Sequence, residues 1–317
     1  MQAELTLGAG FARDVGDQPA ALSRVLEVNA AALHEARALI AGARSVRLLG
    51  TGSSRHAAGL GAAALELGGV HADVPPAPGA DVPPAVLHPD DVLVAVSQSG
   101  QTPAMVSTVT RARELNCRVI TVTNAGGPLA HLADIALDCA AGSERVVAAS
   151  KSVTTSALLL RALAGEVEVA ALVTAVTAVL GADTAALIAG AHPTHVVAGG
   201  LGAEHVAAEV ALKMAETGGR LLTDEPIVEH LHGPIAVPST TLALVHPADP
   251  NVHRLTGDLV RIGPHPSYEL VTPDLDDPAC AAILALVAGQ VAALAWSRRT
   301  GVDADAPRGL SKVTRTA

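Results

Sequence analysis

Short apolar runs alternate with longer stretches of mixed apolar and small residues along the whole 317-residue chain. Runs such as Val46-Arg47-Leu48-Leu49 and Val92-Leu93-Val94-Ala95-Val96 are too short for helices, and their apolar, valine-rich character suits buried strands. Strands are expected near 46–49, 71–74, 92–96, 118–123 and 135–138, and again near 195–198, 220–223, 241–245 and 258–262. Residues 18–42 read as an introductory helix with apolar positions at Leu22, Val25, Val28, Ala31 and Leu33. The Ala-rich stretch 152–190, punctuated by Gly165, Gly181 and Asp183, reads as a helical link. A last helix ends near Arg299, followed by a Gly/Asp/Pro-rich tail through Lys312. Short strands alternating with helices predict an α/β fold of parallel sheets joined by crossover helices.

The plan occurs twice. Strand 46–49 enters Gly50-Thr51-Gly52-Ser53-Ser54 and a helix ending at Gly68-Gly69, while 195–198 enters Gly199-Gly200-Leu201-Gly202 and a helix ending at Gly218-Gly219. The next strand of the first copy leads into Ser97-Gln98-Ser99-Gly100, that of the second only into His246-Pro247-Ala248-Asp249. The length suits two domains, and the duplication supports the same division. We expect an N-terminal segment with its helix at 1–42, a first domain at 43–165, a helical link at 166–190, a second domain at 191–299 and a tail at 300–317.

Composition narrows the partners. Half the residues are hydrophobic, yet Phe11, Tyr268 and Trp296 are the only aromatics, so stacking on bases or sugar faces is not a main recognition device. A net charge of -10 argues against nucleic acid or an anionic membrane, whose binding needs basic patches. A small anionic ligand fits if its site is locally positive. Cys117, Cys139 and Cys280 show no metal or redox spacing and read as buried thiols, so no metal is expected. The N-terminal region, with Glu4, Asp14 and Asp17, lacks the character of a secretory signal. The apolar runs 169–182 and 279–296 are interrupted by Gly, Thr or Gln and fall short of a clear membrane span. Packing in a core or dimer interface explains them, and a cytoplasmic location is expected.

Ser97-Gln98-Ser99-Gly100-Gln101-Thr102 follows a buried strand and precedes a helix opening at Pro103. Free N–H groups, three hydroxyls and a helix dipole would meet there, which suits a phosphate monoester; an ordinary capped helix start is the competing reading. Ser53 and Ser54, in the turn after the neighbouring strand, shift the balance toward phosphate. Ser150-Lys151-Ser152, with Thr154 and Thr155, is either a helix cap or a third polar cluster closing over a ligand. No Gly-Lys-Ser/Thr follows a Gly-rich loop and the third glycine of a dinucleotide fingerprint is missing, so no nucleotide cofactor is expected.

Glu209, Lys213 and Glu216, at i, i+4 and i+7, share one helical face. They form either a solvated salt-bridge stripe or, because Val206, Ala207, Val210, Ala211, Leu212 and Met214 make the rest of the helix apolar, a desolvated acid–base cluster. His232, before Gly233-Pro234, is a loop hydrogen-bonder or a proton-transfer group. His230 and His232 lack the carboxylate or cysteine set a metal needs. Lys312 alone would be an ordinary tail lysine.

Taken together, five segments resemble the sugar isomerase (SIS) domain proteins: Gly52-Ser53-Ser54-Arg55-His56-Ala57, Ser97 to Thr102, Glu209 to Glu216, His232-Gly233-Pro234 and Pro307-Arg308-Gly309-Leu310-Ser311-Lys312. The similarity covers nearly the whole chain and is strongest to the isomerase half of glucosamine-6-phosphate synthase and to stand-alone SIS-type glucosamine-6-phosphate deaminases. It implies two tandem doubly wound parallel-sheet domains of flavodoxin type. It also implies that Ser54, Ser97, Gln98, Ser99 and Thr102 hold phosphate and sugar, that Glu216 moves a proton between C1 and C2, and that Glu209 and Lys213 line the site. His232 would open the sugar ring, Lys312 would meet the open-chain carbonyl, and the tail would complete the site. In the synthase the His-Gly-Pro loop enters the neighbouring subunit's site, which implies a homodimer here.

Two departures stand out. The family's Ala-Ser-Thr-Lys appears as Ala148-Ala149-Ser150-Lys151, and no amidotransferase segment or Cys at position 2 is present to draw ammonia from glutamine. The implied activity is deamination and isomerisation of glucosamine 6-phosphate. Alternatives are a fructosamine-6-phosphate deglycase, a galactosamine-6-phosphate deaminase or a non-catalytic sugar-phosphate sensor. A sensor of the regulator type would carry a helix-turn-helix segment, and none precedes residue 30.

Overall fold

The computed structural model describes residues 7–76, 87–124, 126–183, 192–237, 239–245, 254, 257–259, 261, 267–307, 309, 311 and 312. Two compact units each draw on separated stretches of chain. One comprises Ala20–Glu144, Lys151–Val169 and Ser311–Ala317, the other Met1–Pro19, Arg145–Ser150 and Ala170–Leu310.

The first unit is built on a parallel sheet of β1 (Val46–Leu49), β2 (Ala72–Asp73), β3 (Val92–Val96), β4 (Arg118–Thr123) and β5 (Ile135–Asp138), in the order β2-β1-β3-β4-β5. Leu49 is registered with Ala95, so the turns after β1 and β3 leave the same end of adjacent strands. The winding reverses between these two strands, which is where open α/β sheets bind ligands. The fully buried runs of β3 and most of β4 are what a sheet covered on both faces requires.

The expected introductory helix over 18–42 is two helices, α2 (Gln18–Val28) and α3 (Ala30–Ala41), preceded by α1 (Ala9–Gly16). Asn29 causes the break. Its Nδ2 donates to Val25 O at 2.7 Å and Asp138 O at 2.8 Å, and its Oδ1 accepts from Asp138 N at 2.8 Å. The side chain thus extends the end of β5 instead of continuing a helix, as asparagine readily does.

At the opposite end of the sheet, buried Asp91 accepts both nitrogens of an Arg44 fork, at 2.9 and 3.0 Å, and the Ser45 hydroxyl at 2.8 Å. Burial alone would raise this carboxyl. Its hydrogen bonds from Arg44, His88 N–H and Ser45 outweigh that and hold it below the ordinary value. α4 (Ser53–Leu67) lies against α7 (Lys151–Leu163) at Gly61, where a Cβ would sit 2.6 Å from Leu160 Cβ. Met105, Val109 and Ala112 of α5 (Pro103–Glu114) and Leu129 of α6 (Pro128–His131) close the core over Leu93 and Ala95.

The second unit repeats the winding with β6 (His195–Ala198), β7 (Thr223–Pro226), β8 (Thr241–Val245) and β9 (Ser267–Val271), ordered β7-β6-β8-β9 and all parallel. Two strand expectations need correction. The strand expected at 220–223 starts at Thr223, because Gly219, left-handed at φ 65°, ends the preceding helix and Leu221 is 89% exposed on the way back to the sheet. The strand expected at 258–262 is not one: 257–259 and 261 are helical, with 260 and 262 outside the described residues. Leu259 packs there against Val197, Ile227, Ala243 and Val245, and β9 forms further on. The expected link 152–190 resolves into α7 and α8 (Val169–Gly181), with 184–190 outside the described residues.

α9 (Ala203–Gly218) packs on α11 (Pro278–Thr300) through two glycines. A Cβ at Gly289 would overlap Val210, and one at Gly218 would overlap the Trp296 ring. α11 is long and apolar enough to span a membrane, with mean hydropathy 2.0, but 78% of that window is buried inside the protein. Burial accounts for its composition. Its N-cap Asp277 accepts from Ala279 N and Cys280 N, an ordinary carboxylate cap with Pro278 in the first turn. Beyond α11, Asp305 accepts from Gly10 N and Phe11 N at 2.7 and 2.8 Å, and Asp303 from Gly8 N at 3.0 Å. These carboxylates satisfy amides at the start of α1.

Candidate functional site

In the first unit the two hydroxyl-rich turns stand at the reversal between β1 and β3. Gly50 makes the first turn possible, since a Cβ there would run into the Ser54 carbonyl. The chain turns at Gly52, φ 55°, and Ser53 and Ser54 enter the first turn of α4, both half-buried. In the second turn Gly100 has φ 62°, and a Cβ there would collide with Gly126 O. Asn124 N donates to Gln98 O at 3.0 Å and Leu129 N to Gly100 O at 3.1 Å, tying this turn to the loop after β4.

Thr102 occupies the N-cap position of α5, yet its side chain makes no capping bond. Its hydroxyl lies 3.3 Å from buried Ser97 Oγ. Ser99 Oγ accepts from Gln101 N at 3.2 Å, which tightens the turn, and Gln98 is half-buried. The structure therefore brings Ser97, Ser99 and Thr102 into one turn, beside the strand that delivers Ser53 and Ser54. The helix N-termini and hydroxyls at this edge can hold an anion.

Lys312 also belongs to the first unit. Its Nζ meets Glu144 Oε2 at 3.0 Å. Arg308 and Leu310 of the same motif lie outside the described residues. Ser150 belongs to the second unit, where it is wholly buried and its carbonyl accepts from Gln290 Nε2 at 3.5 Å.

The charged triad lies on α9 in the second unit. Lys213 is completely buried, its Nζ 3.5 Å from Glu209 Oε1 and ion-paired with Glu216 Oε2. Glu209 is buried as well, while Glu216 retains 16% of its side-chain surface. This is not a solvated stripe: two carboxylates and one ammonium share a largely desolvated face, with Glu216 as the member open to solvent. His232 ends α10 (Ile227–His232), is exposed, and donates from Nδ1 to Val228 O at 2.8 Å. That bond leaves Nε2 as the ring atom open to a ligand.

Three features escaped the sequence reading. Glu144 carries no motif signal. Gly126 and Gly127, both left-handed, form the floor under Gly100 and are visible in sequence only as a Gly pair after a strand. The third is buried His230, whose Nδ1 lies 2.6 Å from Oε1 of half-buried Glu225, with the His195 ring 5.5 Å from that of His230. Burial, with a smaller contribution from His230, lowers the His195 pKa against an opposing pull from Glu225. Among the described residues no group of three or more His, Cys, Asp or Glu could hold a metal ion.

Two doubly wound parallel sheets, the first with paired hydroxyl turns at its reversal, define a tandem flavodoxin-like α/β protein. Residues 39–165 match the SIS domain, the family that the five sequence segments resemble. Glutamine–fructose-6-phosphate aminotransferase [isomerizing] of Aeropyrum pernix is 33% identical over 252 residues, covering 71% of this chain and 41% of that protein. The chain thus spans about two-fifths of this relative's length, and 43% of the like-named aminotransferase of Pyrobaculum aerophilum, which is 30% identical. The C-terminal domain of glucosamine-fructose-6-phosphate aminotransferase from Francisella tularensis superposes with a TM-score of 0.79 at 18% identity, over 95% of this chain and 99% of that one. Glucosamine-6-phosphate deaminase from Thermotoga maritima gives 0.79 at 20% identity, over 97% and 100%. At these identities the structural likeness establishes the fold over both sheets.

Proposed function

We propose that the protein deaminates and isomerises glucosamine 6-phosphate to fructose 6-phosphate and ammonia. The observation that carries this reading is the buried Glu209–Lys213–Glu216 face, in which one carboxylate alone keeps solvent contact. A desolvated carboxylate beside a lysine suits reversible proton transfer from carbon. The hydroxyl turns of the first unit would hold the phosphate, Thr102 being available because it caps nothing.

In this mechanism His232 promotes ring opening to the C1 aldehyde. Glu216 removes the C2 proton, giving an enaminol with a C1–C2 double bond. Reprotonation at C1 leaves an imine at C2, to which water adds and from which ammonia departs, yielding the ketose. Lys312 stabilises charge on the oxygen at C1 or meets the open-chain carbonyl. Glu209 and Lys213 line the site, and the Lys213 ammonium offsets charge on the carboxylate pair. The protein would act as a cytoplasmic homodimer with the His232 loop at the neighbouring subunit's site, and would need no cofactor.

The test is ammonia release on adding glucosamine 6-phosphate, with Glu216→Gln as control. Release by the wild type alone supports the reading. Binding of the sugar phosphate without release by either protein overturns it in favour of another phosphosugar substrate or a sensing role.

A further inference from the structure

We propose that Glu144 is a positioning residue for Lys312, holding the tail amine where it can act. The catalytic consequence rests on the function proposed above; the contact itself does not. The Glu144 side chain is fully buried. Its Oε1 accepts Ser152 N at 3.1 Å, and its Oε2 accepts Ser152 Oγ at 2.6 Å and Lys312 Nζ at 3.0 Å. A carboxylate taken out of water is costly unless donors and a counter-charge surround it, and these three contacts provide both.

The two bonds from Ser152, in the first turn of α7, fix the plane of the carboxylate and aim Oε2 at the tail. The loop carrying Glu144 is itself pinned, by Asn124 Nδ2 to Gly142 O at 3.0 Å and Lys151 Nζ to Ser143 O at 2.9 Å. Lys312, by contrast, lies in no helix or strand, and its side chain is 22% exposed. A long flexible stem outside regular structure does not place its own amine. The rigid partner does. Supporting groups of this kind orient a reactive side chain without touching substrate.

The experiment compares Glu144→Gln, Ser152→Ala, Lys312→Met and the double variant Glu144→Gln/Lys312→Met in the full chain. The first readout is tryptic cleavage after Lys312, followed by mass spectrometry, which requires the amine to leave Glu144. Cleavage should be about tenfold faster in Glu144→Gln and faster by a smaller factor in Ser152→Ala. The second is ammonia release. Glu144→Gln should lower kcat about 10- to 100-fold with KM changed less than about twofold, and should add less than about twofold to the Lys312→Met loss, because both act through one group.

Unchanged cleavage after Lys312 in both Glu144→Gln and Ser152→Ala, or kcat losses that multiply in the double variant, would overturn the proposal. If the wild type releases no ammonia, the deaminase reading fails and the cleavage rates still decide the role of Glu144. Should Glu144→Gln not fold, Ser152→Ala carries the same comparison.

Discussion

Lys213 and Glu216 are ion-paired one turn apart on α9, with the ammonium wholly buried and the carboxylate reaching the surface. Glu209 approaches the same ammonium from the preceding turn, at 3.5 Å. Removing one partner of a buried pair leaves a charge without compensation, which costs about 3–5 kcal/mol. Lys213→Met should lower the stability measured by denaturant unfolding by that amount, and Glu216→Gln by much less, because Glu216 has solvent access. Equal losses in the two variants would refute the asymmetry.

Thr102 offers a way to separate helix capping from ligand binding. A working Thr cap replaced by alanine costs about 1 kcal/mol, but this side chain makes no capping bond. Thr102→Ala should therefore leave the stability of the free protein within about 0.5 kcal/mol of wild type. Its affinity for fructose 6-phosphate by calorimetry should fall about 10- to 100-fold, the worth of one hydrogen bond to a charged group. Stability loss with unchanged affinity would restore the capping reading.

The glycines between α9 and α11 set a steric prediction. Alanine at a helical glycine ordinarily gains about 1 kcal/mol in propensity, yet a Cβ at Gly289 would overlap Val210. Overpacking costs about 1–3 kcal/mol, and a β-branched valine in a helix is stiff at χ1. Gly289→Ala should lower Tm, and Gly289→Ala with Val210→Ala should recover most of the loss.

How much of this was legible beforehand differs from element to element. Strands 46–49, 92–96, 118–123, 195–198 and 241–245 coincide with apolar runs, because central strands of a parallel sheet must be apolar on both faces. β9 was not legible. Leu259-Val260-Arg261-Ile262 carries the aliphatic, β-branched residues of a strand, whereas Ser267-Tyr268-Glu269-Leu270-Val271 has the more polar composition of an edge. β7, Thr223-Asp224-Glu225-Pro226, is polar for the same reason and tolerates proline at its end. In the site, the hydroxyl turns and the α9 triad show in sequence because residue type and spacing suffice. Glu144 does not, since its meaning depends on Ser152 eight residues on and Lys312 far along the chain.

Acid should weaken the fold through His195. Burial and the neighbouring His230 depress its pKa below the ordinary 6.5, so the unfolded chain binds a proton more readily than the folded one. The stabilisation is complete above 6.5 and is lost as pH falls from there toward the folded value. Tm should decline from neutrality to about pH 5, and His195→Gln should flatten that decline. A parallel decline in the variant would assign it to other groups.

Gly50 and Gly100 meet main-chain atoms, those of Ser54 and Gly126, with no room for a side chain between them. The frame of each turn is thus largely backbone against backbone, and the hydroxyls are mounted on it, Ser99 adding one bond from Gln101 N. Serines and threonines here can be exchanged one at a time without collapsing the loops. The same scaffold is open to redirection toward a different anion, by evolution or by an engineer, provided those two glycines stay in place.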